Sequence, residues 1–226
     1  MHPLFHLSQP CVPVAGREQG FPVRRIWCVG RNYADHAKEM GYSDREPPFF
    51  FAKPADAVVP GGGPVPYPPR TSNFHHEIEL VVAIGKGGAD IQVEQAAAHV
   101  FGLAVGLDLT RRDLQADFKA KGQPWEMAKA FDHSAPIGVL HPLQSDRLPE
   151  HAGIWLTVNG AERQRSDIAK MIWSVPEVLH HLSAFVELAP GDLIFTGTPE
   201  GVGKLQRGDQ ILGGIDGLGE LAVTIT

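Results

Sequence analysis

Apolar residues along this chain fall into short runs separated by turn residues, the pattern of strands joined by tight connections. Arg24 to Val29 predicts a first core strand, broken at Gly30, and Phe49 to Lys53 predicts a compact aromatic strand stopped by Pro54. Glu77 to Ile84 predicts another, closed by Gly85-Lys86-Gly87-Gly88. Gln92 to His99 has helical spacing, and Phe101 to Leu109 returns as a strand. Ile154 to Val158 followed by Asn159-Gly160 signals a β-hairpin. Leu193 to Thr198 and two terminal segments, about 209–213 and 219–226, complete the strands.

Helices are fewer. Tyr33 to Met40 predicts a short one ending near Gly41. Thr110 with Asp113 reads as a capping box opening a helix to about Lys121, with Gly122 as its stop. Ser174, Pro176 and Glu177 open a further helix through cap, early proline and third-position glutamate. The stretch Val58 to Thr71, with Gly61-Gly62-Gly63 and five prolines, reads as loop. Residues 1–22 are Pro-punctuated and weakly patterned, an N-terminal arm, and residues 23–226 are expected to form a single domain. Strands outnumber helices without strict alternation, so the expected class is α+β, rich in β.

Composition narrows the function classes. The 226 residues suffice for a sizeable core, with 43% hydrophobic and 20% charged residues as in a soluble globular protein. A net charge of −6 with scattered basic residues argues against nucleic acid as a partner. Cys11 and Cys28 make neither a disulfide framework nor a metal spacing. No apolar stretch approaches the ~20 residues needed to cross a bilayer. Met1-His2-Pro3-Leu4-Phe5 lacks the basic flank and apolar core of a signal peptide, so a cytoplasmic protein with no membrane partner is expected.

The candidate chemistry lies in three carboxylates inside apolar runs: Glu77 and Glu79 in His76-Glu77-Ile78-Glu79-Leu80, and Asp108 in Gly106-Leu107-Asp108-Leu109. Ionised groups in such places are costly unless a cation meets them. Two apart on a strand, Glu77 and Glu79 project from one face, where either a pKa rises or a cation binds between them. A hard divalent ion with oxygen ligands fits, Mg²⁺ or Mn²⁺ first and Ca²⁺ second. On the helix from Tyr33, His36 and Glu39 share a face, so Glu39 can fix the tautomer of a general base. Lys129 sits in the mixed stretch Met127-Ala128-Lys129-Ala130-Phe131, and Gln115 lies two residues past Asp113. Phe195-Thr196-Gly197-Thr198-Pro199-Glu200-Gly201 is a Gly-rich turn after a strand, able to offer N–H groups to an anion.

Taken together these runs resemble the fumarylacetoacetate hydrolase family. The matching segments are Val29-Gly30-Arg31-Asn32-Tyr33-Ala34-Asp35-His36, His76-Glu77-Ile78-Glu79-Leu80, Gly106 to Gln115, Pro124-Trp125 through Lys129, and Ile194 to Gly203. The resemblance covers roughly residues 24–226 and implies a mixed β-sandwich roll, usually a homodimer, holding one Mg²⁺ or Mn²⁺. It implies Glu77, Glu79 and Asp108 as metal ligands, His36 and Glu39 as a water-activating dyad, and Lys129 and Gln115 as groups that stabilise and orient the reacting oxygens. Thr198 and Arg31 become substrate contacts. The runs Phe51 to Val58 and Ala130 to Pro136 further imply hydrolysis of a C–C bond in a 2,4-diketo acid, fumarylpyruvate to fumarate and pyruvate in aromatic catabolism. Acylpyruvase and oxaloacetate decarboxylase activities share the same carboxylate core. A distal substrate carboxylate would need a cation, with Arg45, Lys53 and Lys170 as candidates.

Overall fold

In the computed structural model, which describes residues 4, 6–33, 46–145 and 147–226, the strand Ile78–Ile84 is the centre from which the rest is built. It is buried along its whole length because its alternate residues serve two cores. Ile78, Leu80, Val82 and Ile84 belong to a cluster with Leu103, Val105, Ile154, Leu156, Ile211 and Leu221. Val81 and Ala83 belong to another, with Ile26, Cys28, Leu193 and Phe195, covered by Val12, Val14 and Phe21 of the N-terminal segment. Each fully buried aliphatic side chain of this kind contributes about 1.5–3 kcal/mol.

Around that strand an eight-stranded mixed sheet assembles among the described residues. Ile78–Ile84 pairs antiparallel with Val100–Leu107 on one side and with Asp192–Phe195 on the other. Beyond Asp192–Phe195 come Arg25–Gly30, parallel to it, and Phe49–Lys53 at the edge. Beyond Val100–Leu107 come Ala135–Ile137 and, at the far edge, Val58–Pro60, while His141–Pro142 pairs further along Val100–Leu107. A second sheet runs Ala161–Asp167, Gly153–Val158, Gln210–Ile215, Gly219–Ile225 and Gly63–Val65. Its inward residues share the larger core cluster with the first sheet. The result is a β-rich α+β sandwich roll, as the sequence predicts. Among the described residues no helix is long and apolar enough to cross a membrane.

Local signals explain most elements. The hairpin Gly153–Val158 to Ala161–Asp167 turns through Asn159 and Gly160, both at positive φ as its two-residue turn demands. The helix Val175–Ser183 carries a full capping box, Ser174 with Glu177, and a proline in its first turn. Gln92–His99 forms a 3₁₀ helix over Val93–His99. Tyr33 makes an isolated bridge to Met171, and the rest of the helix predicted to Met40 lies outside the described residues.

Two expectations are corrected. Val58 to Thr71 is not all loop: Val58–Pro60 pairs parallel with Ala135–Ile137, and Gly63–Val65 pairs parallel with Gly219–Ile225. Both are edge strands, where Pro60 and Pro64 are tolerated because one side of the backbone needs no partner. Thr110 and Asp113 do not form a capping box. The helix Arg112–Ala120 has no side-chain cap from Arg111, and the Thr110 hydroxyl donates instead to the Asp108 carbonyl at 3.0 Å. Asp113 turns toward the preceding loop. It accepts from Thr71 Oγ1 at 2.6 Å, from the Ser72 N–H at 2.8 Å and from the Leu114 N–H at 2.9 Å.

Partial burial pushes the Asp113 carboxyl up, but the hydrogen bonds from Thr71, Ser72 and Leu114 outweigh it and hold the group below its ordinary value. A carboxylate depressed in the folded state stabilises above its unfolded pKa and loses that contribution as pH falls through the folded value. Asp113→Ala is expected to cost about 1 kcal/mol at neutral pH. In urea melts the gap to wild type should close below the ordinary aspartate pKa of about 3.9. A gap independent of pH would contradict the assignment.

Candidate active site

Asp108 joins the two glutamates through sheet register. Ile78 stands opposite Leu107, and the Asp108 N–H donates to the Glu77 carbonyl at 2.9 Å, so the ladder delivers Asp108 opposite Glu77. Glu77 occupies the break between Phe74–His76 and Ile78–Ile84, and Glu79 follows on the same side. One carboxylate oxygen from each of Glu77, Glu79 and Asp108 lies within 4.8 Å of the others, and all three residues are buried. The period-2 argument therefore holds in space. Among the described residues no other group of three His, Cys, Asp or Glu side chains gathers in this way.

Cations meet this buried charge. Lys129, at the end of the short helix Glu126–Lys129, is buried, and its Nζ donates to Glu77 Oε2 at 2.9 Å, Asp108 Oδ2 at 2.6 Å and Thr110 Oγ1 at 2.6 Å. Lys53, at the end of an edge strand, places Nζ 2.8 Å from Asp108 Oδ1 and donates to the Lys129 carbonyl. Arg112 pairs with Glu77 Oε1 and reaches Gln115 Oε1 from the same helix face. Burial would drive the Lys129 ammonium down, but Asp108 and Glu77 outweigh it, and its pKa is raised.

Glu79 is treated differently. Its Oε2 accepts from the Gly197 N–H at 2.7 Å. Burial first, then the charges of Asp108 and Glu77, push its pKa well above the ordinary carboxylate range, with the Gly197 N–H and Lys129 opposing. Burial likewise lowers His75, to about 4, and His76, so both imidazoles are neutral near pH 7.

The carboxylates lie in a cleft whose wall includes Arg31, Phe49, Phe51, Lys119 and Trp125. Phe49 and Trp125 meet edge to face at 5.4 Å, and the Arg31 guanidinium lies 4.7 Å from the Phe49 ring centre. Asn32 anchors the adjoining strand end. Its side-chain amide donates to the carbonyls of Trp173 and Thr196 at 2.9 and 2.8 Å and accepts from the Trp173 N–H at 2.8 Å. The Gly-rich turn thus lies against the Gly30-Arg31-Asn32 segment.

Of the residues singled out in the sequence, Glu77, Glu79, Asp108, Lys129, Gln115, Thr198 and Arg31 all line this one cleft. His36, Glu39 and Arg45 lie outside the described residues. Lys53 is no distal cation, because it is buried and committed to Asp108. Lys170 is exposed and does not line the cleft. Sequence reasoning passed over Arg112, whose spacing to Gln115 was the available signal, and Lys119, one turn further along that helix. It also missed Gln164, a single buried position in a polar strand with no local signature.

Residues 25–226 match the family described as fumarylacetoacetate (FAA) hydrolase, C-terminal. A fumarylpyruvate hydrolase of Ralstonia sp is 44% identical over 180 residues, spanning 80% of this chain and 93% of that protein. A mitochondrial oxaloacetate tautomerase of Mus musculus is 43% identical over 204 residues, spanning 87% of this chain and 92% of that protein. The crystal structure of fumarylpyruvate hydrolase from Pseudomonas aeruginosa in complex with Mn²⁺ and pyruvate superposes with a TM-score of 0.97 at 58% identity, covering 100% of this chain and 99% of that one.

Removing one partner of a buried charge cluster leaves the others uncompensated. Lys129→Met is expected to lower metal-free stability at neutral pH by about 3 kcal/mol, read in urea melts. An unchanged midpoint would mean that Lys129 does not carry the charge of Glu77 and Asp108.

Proposed function

The chain belongs to the fumarylacetoacetate hydrolase family, and we propose that its cleft hydrolyses a 2,4-diketo acid, fumarylpyruvate, to fumarate and pyruvate. The observation that carries this reading is the buried trio Glu77, Glu79 and Asp108, three oxygen donors from adjoining strands in an open cleft. An all-oxygen donor set suits a hard divalent ion, Mg²⁺ or Mn²⁺ before Ca²⁺, and three protein ligands leave room for substrate. The likeness to a fumarylpyruvate hydrolase holding Mn²⁺ and pyruvate supports the same assignment. When bound, such an ion supplies Lewis-acid polarisation of an α-keto acid's oxygens and steadies negative charge on the departing enolate.

The chain's own residues take the remaining roles in this proposal. His36, oriented by Glu39, removes a proton from water as its oxygen bonds to C4. Lys129, whose ammonium would be released in part once an ion took over the Glu77 and Asp108 oxygens it holds, and Gln115 would donate to the oxyanion that forms there. Collapse breaks the C3–C4 bond, the electron pair moves to C3 as the pyruvate enolate, and protonation at C3 completes pyruvate while fumarate leaves as the acid anion. Thr198 donates to the substrate's C1 carboxylate. Arg31 and Lys119, on the outer wall beside Phe49 and Trp125, meet the carboxylate at the far end. The same proposal includes residues 1–22 as an arm on a single catalytic domain, a homodimer, a cytoplasmic setting and a role in aromatic catabolism.

A second reading has one observation in its favour, the similarity to an oxaloacetate tautomerase. Enolisation or decarboxylation of oxaloacetate passes through the same enolate without attack by water. The two readings separate on His36, which only hydrolysis requires as a base for water.

Four outcomes are expected. Fumarylpyruvate absorbance should decay with Mn²⁺ or Mg²⁺ and not with EDTA, and faster than oxaloacetate is consumed; a preference for oxaloacetate would overturn the first reading. His36→Ala should lose on the order of 10²-fold in turnover while the metal still raises its melting temperature. Glu79→Ala should lose that metal-dependent rise. Because Glu79 holds its proton above the usual carboxylate range, an incoming ion must displace it. Metal affinity should therefore strengthen as pH rises above that range, with proton release seen by titration calorimetry in buffers of different ionisation heat. Affinity that is flat with pH would contradict the shift.

A further inference from the structure

Gln164 is the sole buried residue of the strand Ala161–Asp167, and its side chain reaches from the second sheet to Thr198, which lines the cleft. It is fully engaged. Oε1 accepts from the Ile78 N–H at 3.2 Å and meets His76 Nδ1 at 2.9 Å. Nε2 donates to Thr198 Oγ1 at 2.8 Å and to the Pro199 carbonyl at 2.9 Å.

Two of these partners have only one polarity. A backbone N–H can only donate and a backbone carbonyl can only accept, so Ile78 and Pro199 together fix which end of the amide is oxygen. The other two partners then follow. His76 must carry its proton on Nδ1. Thr198 Oγ1 must accept, which sends its own O–H proton elsewhere. Thr198 is buried and lines the cleft, and among the described residues no protein acceptor takes that proton.

We propose that Gln164 is a positioning residue that holds the Thr198 hydroxyl as a hydrogen-bond donor toward a carboxylate bound in the acidic cleft. The inference deepens the reading of Thr198 as a substrate contact and rests on it. The same amide also ties together the two walls that carry the acidic groups. His76 and Ile78 flank Glu77, and Thr198 follows Gly197, whose N–H holds Glu79. The turn sits hard against this strand: a Cβ at Gly201, where φ is +89°, would lie 2.1 Å from the Arg163 carbonyl oxygen. The four hydrogen bonds of the amide, two of them to partners of fixed polarity, leave it little freedom to turn over.

The test is a double-mutant cycle with pyruvate as the probe. Its affinity is measured calorimetrically on Mn²⁺-loaded protein, alongside Mn²⁺ affinity and the melting temperature of the metal-free protein. Thr198→Val should weaken pyruvate roughly tenfold, as expected for one hydrogen bond to a charged group, and Thr198→Ser should stay near wild type. Gln164→Met should weaken pyruvate by a similar factor with Mn²⁺ affinity held within about twofold. The double variant Gln164→Met with Thr198→Val should bind no more weakly than Thr198→Val alone, because both changes remove the same donor. Should Gln164→Met fail to fold, Gln164→Glu serves. Its carboxylate accepts from the Thr198 hydroxyl and turns it from the cleft, again weakening pyruvate. Normal pyruvate affinity in the foldable Gln164 variant, or losses that simply add in the double variant, would overturn the inference. A protein that binds pyruvate normally yet leaves fumarylpyruvate intact would refute the hydrolysis and not this assignment.

Discussion

Three carboxylates withdrawn from water, and the cations that make this tolerable, are the constraint on which the structure turns. Glu77, Glu79 and Asp108 are all buried, and so are Lys53 and Lys129 that face them. Charges in such a setting are stable only with partners in good geometry. Each partner is therefore supplied by a different element: an edge strand for Lys53, a short helix for Lys129, a longer helix for Arg112, and a Gly-rich turn whose N–H caps Glu79. The arrangement is held in place by strands buried on both faces, which leave the side chains few alternatives.

This division of labour explains why the site sits where it does. Along Ile78–Ile84 one face packs the sandwich core and the other packs beneath the N-terminal segment. At the start of the strand the second face stops being apolar, and Glu79 and Glu77 emerge into a cleft walled by Phe49, Phe51 and Trp125. Aromatic walls exclude water and strengthen electrostatics within, while Arg31, Arg112 and Lys119 make the surroundings attractive to anions. A dianionic substrate meets positive charge around a centre that is itself acidic. A divalent ion seated between the acidic groups, as proposed, would resolve that contrast.

Much of this was legible along the chain, for identifiable reasons. Glu-x-Glu in an apolar run has a fixed meaning on a strand, and the hairpin at Asn159-Gly160 and the helix opened by Ser174 rest on local chemistry that tertiary contacts did not override. Val58–Pro60 and Gly63–Val65 were not legible, because their strand character comes from distant partners and their prolines read as loop until an edge position excuses them. The Thr110 and Asp113 pair misled for a related reason: the site claims Thr110 for Lys129, which leaves Asp113 to the loop at Thr71. Gln164 had no signature at all. Its partners come from sequence positions 34 to 88 residues away, and only the packing of two sheets brings them together.

The central claim is that Glu77, Glu79 and Asp108 together seat one divalent ion. Electron paramagnetic resonance of free Mn²⁺ titrated into the protein tests it most directly. The account predicts one tight site per chain in the wild type, lost in Asp108→Asn while the fold is retained by circular dichroism. Tight binding that survives Asp108→Asn, or a wild-type protein that leaves all Mn²⁺ free, would contradict it.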